Sequence, residues 1–145
     1  MIIQQISVFV ENRPGTLASV LEVLKEHEVN IRALSVADTA DFGILRLIVN
    51  DPDKVKLFLS AAGFTVKSNP VLTITVEDDP GGLLHQVNRI SAVGINIEYM
   101  YAFATGESKT ARVVLKVDNL DKAAQVIGGE APKATDSQKA ANFYW

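Results

Sequence analysis

Cysteine is missing from all 145 residues, which removes disulfides, thiolate nucleophiles and cysteine metal sites from consideration. Histidine occurs only as His27 and His85, with no His-x-x-x-His spacing, so a clustered metal centre has no ligand set in the sequence. A basic surplus is also absent: 14 Lys and Arg face 17 Asp and Glu, for a net charge of −3. Binding to nucleic acid through bulk charge is therefore excluded. Nucleophile elbows of the Gly-x-Ser-x-Gly kind do not occur. No apolar run reaches the roughly 18 to 20 residues that span a bilayer. The opening Met1-Ile2-Ile3-Gln4-Gln5 lacks the basic start of a secretory signal. A cytoplasmic protein without membrane contact is the expectation. What is abundant is apolar character, 48% against 21% charged, enough for a hydrophobic core.

The apolar residues fall into two copies of one pattern. Val8-Phe9-Val10-Glu11-Asn12-Arg13-Pro14-Gly15-Thr16-Leu17 matches Ile74-Thr75-Val76-Glu77-Asp78-Asp79-Pro80-Gly81-Gly82-Leu83, at an offset of 66. The register persists through Val29-Asn30-Ile31 and Ile95-Asn96-Ile97. It becomes 68 at Val49-Asn50-Asp51 and Val117-Asp118-Asn119, which places a two-residue insertion near Gly106 to Lys109. A shared order of landmarks over this length marks a duplication.

Each copy reads as strand, helix, strand, strand, helix, strand. In the first, residues 3–10 and 30–36 are rich in β-branched residues, as are 44–49. Leu17, Val20, Leu21 and Leu24 recur at helical spacing, with Pro14 expected at the first helical position. Pro52 opens a second helix that carries Val55, Phe58 and Leu59 on one face, and Gly63 ends it. A short closing strand at 64–67 and a Ser68-Asn69-Pro70 link are expected to precede the second copy. There Asp79 is expected to cap a helix whose first turn holds Pro80. Leu83, Val87 and Ile90 form its stripe, and Gly94 ends it. Strands at 95–104 and 111–117 and a helix at 120–127 follow. The tail, 129–145, is irregular, offers no fourth strand, and ends in three aromatics expected to pack back on the domain. The fold class is α+β: two ferredoxin-like βαββαβ units, 1–68 and 69–145, each an antiparallel sheet with helices on one face. The two are expected to dock, either by edge pairing into one continuous sheet, which would protect their edges, or by packing through helices.

The distinctive element is the Pro-Gly turn between first strand and first helix, present twice. A helix start exposes unpaired amides and partial positive charge, which suits a carboxylate or phosphate, and glycine there admits a ligand to the backbone. The competing account is that Pro-Gly merely begins a helix. The turns differ in charge, Asn12-Arg13 against Asp78-Asp79: Arg13 can pair with a carboxylate and Asp78 can accept from an ammonium group. Asn30 and Asn96 open the second strand of each copy and suit either a zwitterion or a turn. Tyr99, Tyr101 and Phe103 share a face by strand alternation and suit either packing or a pocket wall.

Arg13-Pro14-Gly15-x-Leu17 after a strand, then Val29-Asn30-Ile31, repeated as Asp79-Pro80-Gly81-Gly82-Leu83 and Gly94-Ile95-Asn96-Ile97, resembles the ACT domain family of small-molecule sensors. The resemblance covers residues 3–127, and the whole is similar to stand-alone tandem ACT proteins of bacteria. It implies amino-acid binding between adjoining units, at the first strand-helix loop and the facing second strand. It therefore implicates Asn12, Arg13, Pro14, Gly15, Thr16, Leu17, Asn30 and Ile31 in the first copy. In the second it implicates Asp78, Asp79, Pro80, Gly81, Gly82, Leu83, Asn96 and Ile97, with Tyr99 and Tyr101 against the ligand side chain.

Catalysis has no constellation to carry it. His27 and His85 are not equivalent positions, and the acids of Asp51-Pro52-Asp53 and Glu77-Asp78-Asp79 precede helices, where the dipole favours them as caps. The expectation is a non-enzymatic sensor with no cofactor and no metal. A free amino acid is its ligand, a homodimer its assembly, and a separate enzyme the partner it would regulate. The alternative is a ligand-independent interaction module.

Overall fold

The computed structural model describes residues 1–38, 41–104 and 109–128. The chain divides into two compact units, Gln4–Pro70 and a second made of Met1–Ile3 with Val71 onward. Both are α+β, with ferredoxin-like strand and helix order.

The first unit is built on β1 (Ile2–Glu11), α1 (Thr16–Glu26), β2 (Ile31–Asp38), β3 (Phe42–Val49), α2 (Pro52–Ala61) and the start of β4 (Thr65–Glu77). Its strand order is β2-β3-β1-β4. β3 pairs antiparallel with β1, Val8 opposite Leu45, and with β2, Leu34 opposite Leu47. β2 therefore runs parallel to β1, with β3 between them. Alternation sends Ile6, Val8, Val10, Leu45, Leu47 and Val49 to one face, where Val20 and Leu24 of α1 and Val55 and Leu59 of α2 close a core. These apolar helix positions are spaced by four, so they present one stripe to the sheet. On the other face Gln5 is fully buried, and its Nε2 donates to Ser7 Oγ at 3.2 Å and to Asn69 Oδ1 at 3.3 Å.

The second unit holds the rest of β4, α3 (Gly82–Ser91), β5 (Ile97–Ala102), β6 (Thr110–Val117) and α4 (Leu120–Gly128). β6 lies between β4 and β5 and pairs antiparallel with both. Leu72, Ile74, Val76, Val113, Leu115 and Val117 form its core with Ile90 of α3 and Ala123 of α4. The place beside β4 is taken by the N-terminus: Thr73 N–H donates to Met1 O at 2.8 Å, and the Met1 ammonium donates to Thr73 O at 3.0 Å. Residues 1–3 thus stand where the first unit has its fourth strand.

Several local expectations need correction. Pro14 is not the first helical residue: α1 begins at Thr16, with Gly15 at the N-cap. Asp79 is not a cap and Pro80 is not in a first turn, because α3 begins at Gly82 with Gly81 at the N-cap. Ser68-Asn69-Pro70 is not a link between two strands but lies inside β4. β5 starts at Ile97 and ends at Ala102, shorter than the 95–104 segment. The turn residues 39–40, the insertion at 105–108 and the tail 129–145 with its aromatics lie outside the described residues.

Candidate functional site

Both Pro-Gly turns have one geometry. Gly15 stands at φ 89, ψ −14 and Gly81 at φ 90, ψ −6. Thr16 N–H reaches back to Arg13 O at 3.5 Å, and Gly82 N–H to Asp79 O at 3.1 Å. Proline second and glycine third, at positive φ, is the residue pattern of a type II turn. Gly15 and Gly81 are thus demanded by backbone conformation rather than by a close neighbour, since a Cβ at either would meet nothing within 4 Å. The tight approach is at Gly82, where a Cβ would run into the carbonyl oxygen of Glu77. Its counterpart Thr16 has room for a side chain, whose hydroxyl donates to Glu11 O at 2.6 Å and lies 3.0 Å from Arg13 O.

The helices that follow differ from the other two. α2 is capped by Asp51, whose Oδ1 accepts from Lys54 N–H at 3.3 Å, and at the start of α4 Asn119 Oδ1 accepts from Lys122 N–H at 3.1 Å. No side chain caps α1 or α3. The first bonds within these helices are Ser19 N–H to Gly15 O and His85 N–H to Gly81 O, each 3.0 Å. The amides of Leu17 and Ala18, and those of Leu83 and Leu84, precede them and lack intrahelical acceptors. This is the same arrangement twice, at the positive end of a helix dipole.

In the first unit the turn borders a hollow of about 460 Å³. The end of β1 contributes Phe9, Val10 and Glu11, and the turn and α1 contribute Arg13, Thr16 and Ser19. Phe42 comes from β3, and Gly63, Phe64 and Thr65 from the α2–β4 connection. Gly63, at φ 93, and Phe64 close the end of α2 by donating to Ser60 O and Leu59 O, each at 3.1 Å. This doubled return bond turns the chain back toward β1. Arg13 Nε lies 2.9 Å from Glu11 Oε2, with both side chains more than half exposed. The expected carboxylate partner of Arg13 is thus supplied from within the turn. Sequence reading missed Glu11, Phe42 and Phe64. The pairing of Phe42 with Glu11 across β3 and β1 was the available signal, but it needs the register.

The remaining candidates lie elsewhere in their units. Because β2 runs parallel to β1, Asn30 is at the opposite end of the sheet from Arg13. It lines a hollow of about 300 Å³ with His27, Asn50, Asp51, Lys54 and Phe58. There the His27 ring lies flat on Phe58, centroids 3.9 Å apart. Ile31 packs partly buried on the first core and Ile97 on the second. Asn96 is tied through its backbone, its N–H donating to Asp118 Oδ1 at 3.1 Å. A bulge at Glu98 shifts the register of β5, so Ile97 stands opposite Val117 while Tyr99 stands opposite Lys116 and Tyr101 opposite Val114. The two tyrosine rings stack, centroids 6.4 Å apart. Asn12, Pro14, Asp78, Asp79 and Pro80 are exposed on their turns, and Leu17 and Leu83 are exposed on the first turns of their helices.

Two ferredoxin-like units that carry the same Pro-Gly turn before an uncapped helix make up a duplicated module. The family model described as "ACT domain pair" matches residues 1–137, and the chain belongs to that family. It is similar to the solved protein BT0572 from Bacteroides thetaiotaomicron, at 37% identity over 99% of this chain and 96% of that one, TM-score 0.83. The regulatory subunit of aspartate kinase from Thermus flavus shares the fold at 14% identity, over 89% of this chain and 94% of that one, TM-score 0.60. The ligand-free form of that subunit from Thermus thermophilus shares it at 14% identity, over 91% and 98%, TM-score 0.59. No curated protein matches the chain by sequence. No helix among the described residues is long and apolar enough to cross a membrane.

Proposed function

We propose that this ACT domain pair is a non-enzymatic cytoplasmic sensor of a free amino acid. The observation that carries the reading is a contrast among the helix starts of the described residues: those of α2 and α4 are closed by Asp51 and Asn119, and the two behind the Pro-Gly turns are left open. An open helix start offers amides and positive potential to a carboxylate. Asn12 to Leu17 in the first unit and Asp78 to Leu83 in the second are two alternative sets of contacts. Glu11 and Asp78 are available to an ammonium group. The regulatory role comes from the fold's company, aspartate kinase regulatory subunits among it, and the regulated partner is proposed to be a separate enzyme of amino-acid metabolism. Ligand binding acts on that partner only through a difference in affinity between two states of the sensor. Thermal denaturation with each of the twenty amino acids tests the reading. A few of them raise the melting temperature in a concentration-dependent way; twenty flat responses would refute it.

Assembly as a homodimer is a second element, favoured by one apolar surface. β2 is the last strand in its unit's order, and its Leu34 and Val36 are 48% and 51% exposed, while Leu17 and Leu21 of α1 are 39% and 38% exposed. An edge strand with exposed apolar side chains is a template for a second copy. Sedimentation equilibrium is expected to give a dimer mass, and Leu34→Glu to shift it to the monomer. Dimerisation with no response to any amino acid would favour the plain interaction module.

A further inference from the structure

The two turns share a backbone and differ in everything a ligand would touch. Around the first, the hollow is bordered by apolar Phe9, over whose ring Lys67 Nζ lies at 5.6 Å, and by Val10, Phe42 and Phe64, and its charged lining groups among the described residues are Glu11 and Arg13. Those two charges are 2.9 Å apart and exposed, so they are held to each other by a pair that water already weakens. A zwitterion presents the same two charges in reverse: its carboxylate replaces Glu11 on Arg13, and its ammonium takes Glu11. With its charged ends so placed, the rest of the molecule meets Phe9 and Phe42, which share Glu11's face of the sheet, while Phe64 packs against the core on the other. A volume of about 460 Å³ falls in the range of ligand pockets, and glycine or alanine would leave most of it to water. A large apolar side chain would remove that water from aromatic surface, the term that grows with area. Lys67 Nζ over the Phe9 ring repels a basic side chain, and any charged side chain that enters the apolar lining loses hydration.

Around the second turn the corresponding sequence positions are Glu77, Asp78 and Asp79, all acids, and the one base the fold sets beside them is Lys109, whose carbonyl oxygen accepts from Asp78 N–H at 2.9 Å, among the described residues. A carboxylate brought to that helix start meets like charge. Gly82, in the place of Thr16, is pressed against the Glu77 carbonyl oxygen, so the turn has no space to open a side-chain subsite there.

We propose that the first unit alone takes the amino-acid carboxylate, and that it selects ligands with a bulky apolar side chain, aromatic or branched. The inference rests on the sensor reading above and adds which unit binds and what it prefers. Calorimetric titration of the full chain with phenylalanine, leucine, glycine, aspartate and lysine tests it, alongside Phe42→Ala, Arg13→Gln and Asp79→Asn. Phenylalanine or leucine is expected to bind most tightly. Phe42 is 56% exposed, so its truncation should leave the fold intact, which circular dichroism checks. Phe42→Ala should weaken phenylalanine about tenfold and leave glycine unchanged. Arg13→Gln should weaken every ligand, and Asp79→Asn none. Tightest binding by glycine, aspartate or lysine would overturn the selectivity. Loss of binding in Asp79→Asn but not in Arg13→Gln would overturn the assignment to the first unit. Both outcomes leave the sensor reading standing. Silence from all five ligands in the unmodified protein, together with no thermal response to the other fifteen, removes the sensor reading and this inference with it.

Discussion

Glu28 holds its backbone at φ 55, in the left-handed region that a side chain resists, whereas the second unit has Gly94 at φ 78 in the same place. The hydrogen bonding is shared. Glu28 N–H donates to Lys25 O and Val29 N–H to Leu24 O, as Gly94 N–H donates to Ser91 O and Ile95 N–H to Ile90 O. Both helices therefore end by the same reversal, and only one of them has the residue that suits it. Glu28→Gly should stabilise the protein by roughly 0.5–1 kcal/mol, the strain relieved less the entropy glycine brings to the unfolded chain. Gly94→Ala should destabilise it by about 1 kcal/mol, since a Cβ there touches nothing and the backbone conformation is the whole cost. Urea midpoints of the two variants should move in opposite directions, and movement in the same direction would contradict this account. Gly94 was legible in the sequence as a helix end because glycine advertises positive φ. Glu28 was not, because a glutamate there looks like any exposed helical residue. Arg13 was similarly half legible: its type suggested a carboxylate partner, but nothing in the string said that Glu11 already supplies one.

Helix starts show where local reading succeeds and where it fails. Asp51-Pro52 and Asp79-Pro80 look alike, and the same rule makes each Asp a cap. Asp51 does cap α2. Asp79 does not, and the residue after the proline decides it: Asp53 continues a helix, while Gly81 at positive φ completes a type II turn first. Replacing the true caps should therefore matter. Asp51→Ala and Asn119→Ala are each expected to cost about 1 kcal/mol in chemical denaturation. Asp79→Ala, at an exposed residue whose side chain caps no α3 amide, is expected to change stability by less than about 0.5 kcal/mol. Equal losses for Asp51 and Asp79 would mean that the two turns are not as different as described. Strand faces are legible only between bulges. Bulges at Arg32 and Glu98 reset the alternation of β2 and β5, so Ile97 and Tyr99 are not on one face, while Tyr99 and Tyr101, past the bulge, are, and their rings stack. A bulge is a backbone event, and neither residue type marks it.

At the scale of the molecule the duplication was readable over residues 3–127, because each unit repeats strand, turn and helix in a fixed order of chemically distinctive residues. What the repeat could not show is its own exception. The first unit closes with β4, but the second is completed by residues 1–3, which the sequence assigns to the first copy simply because they come first. That exchange places a charged group where the first unit has an ordinary peptide. The Met1 ammonium donates to Thr73 O, and burial pushes its pKa below the usual α-amino range. The folded state therefore releases this proton at a lower pH than the unfolded chain does. Between the depressed folded value and the unfolded value of about 8, the unfolded chain holds more protons, so stability must rise as pH rises through that window. Below it, both states are protonated and the full cost of burying the charge is felt. N-terminal acetylation removes the charge and keeps an N–H for Thr73. The acetylated protein should be the more stable of the two at pH 6, and the difference should shrink by pH 9. Urea denaturation across that range measures it, and two parallel stability profiles would show that the buried amine contributes nothing.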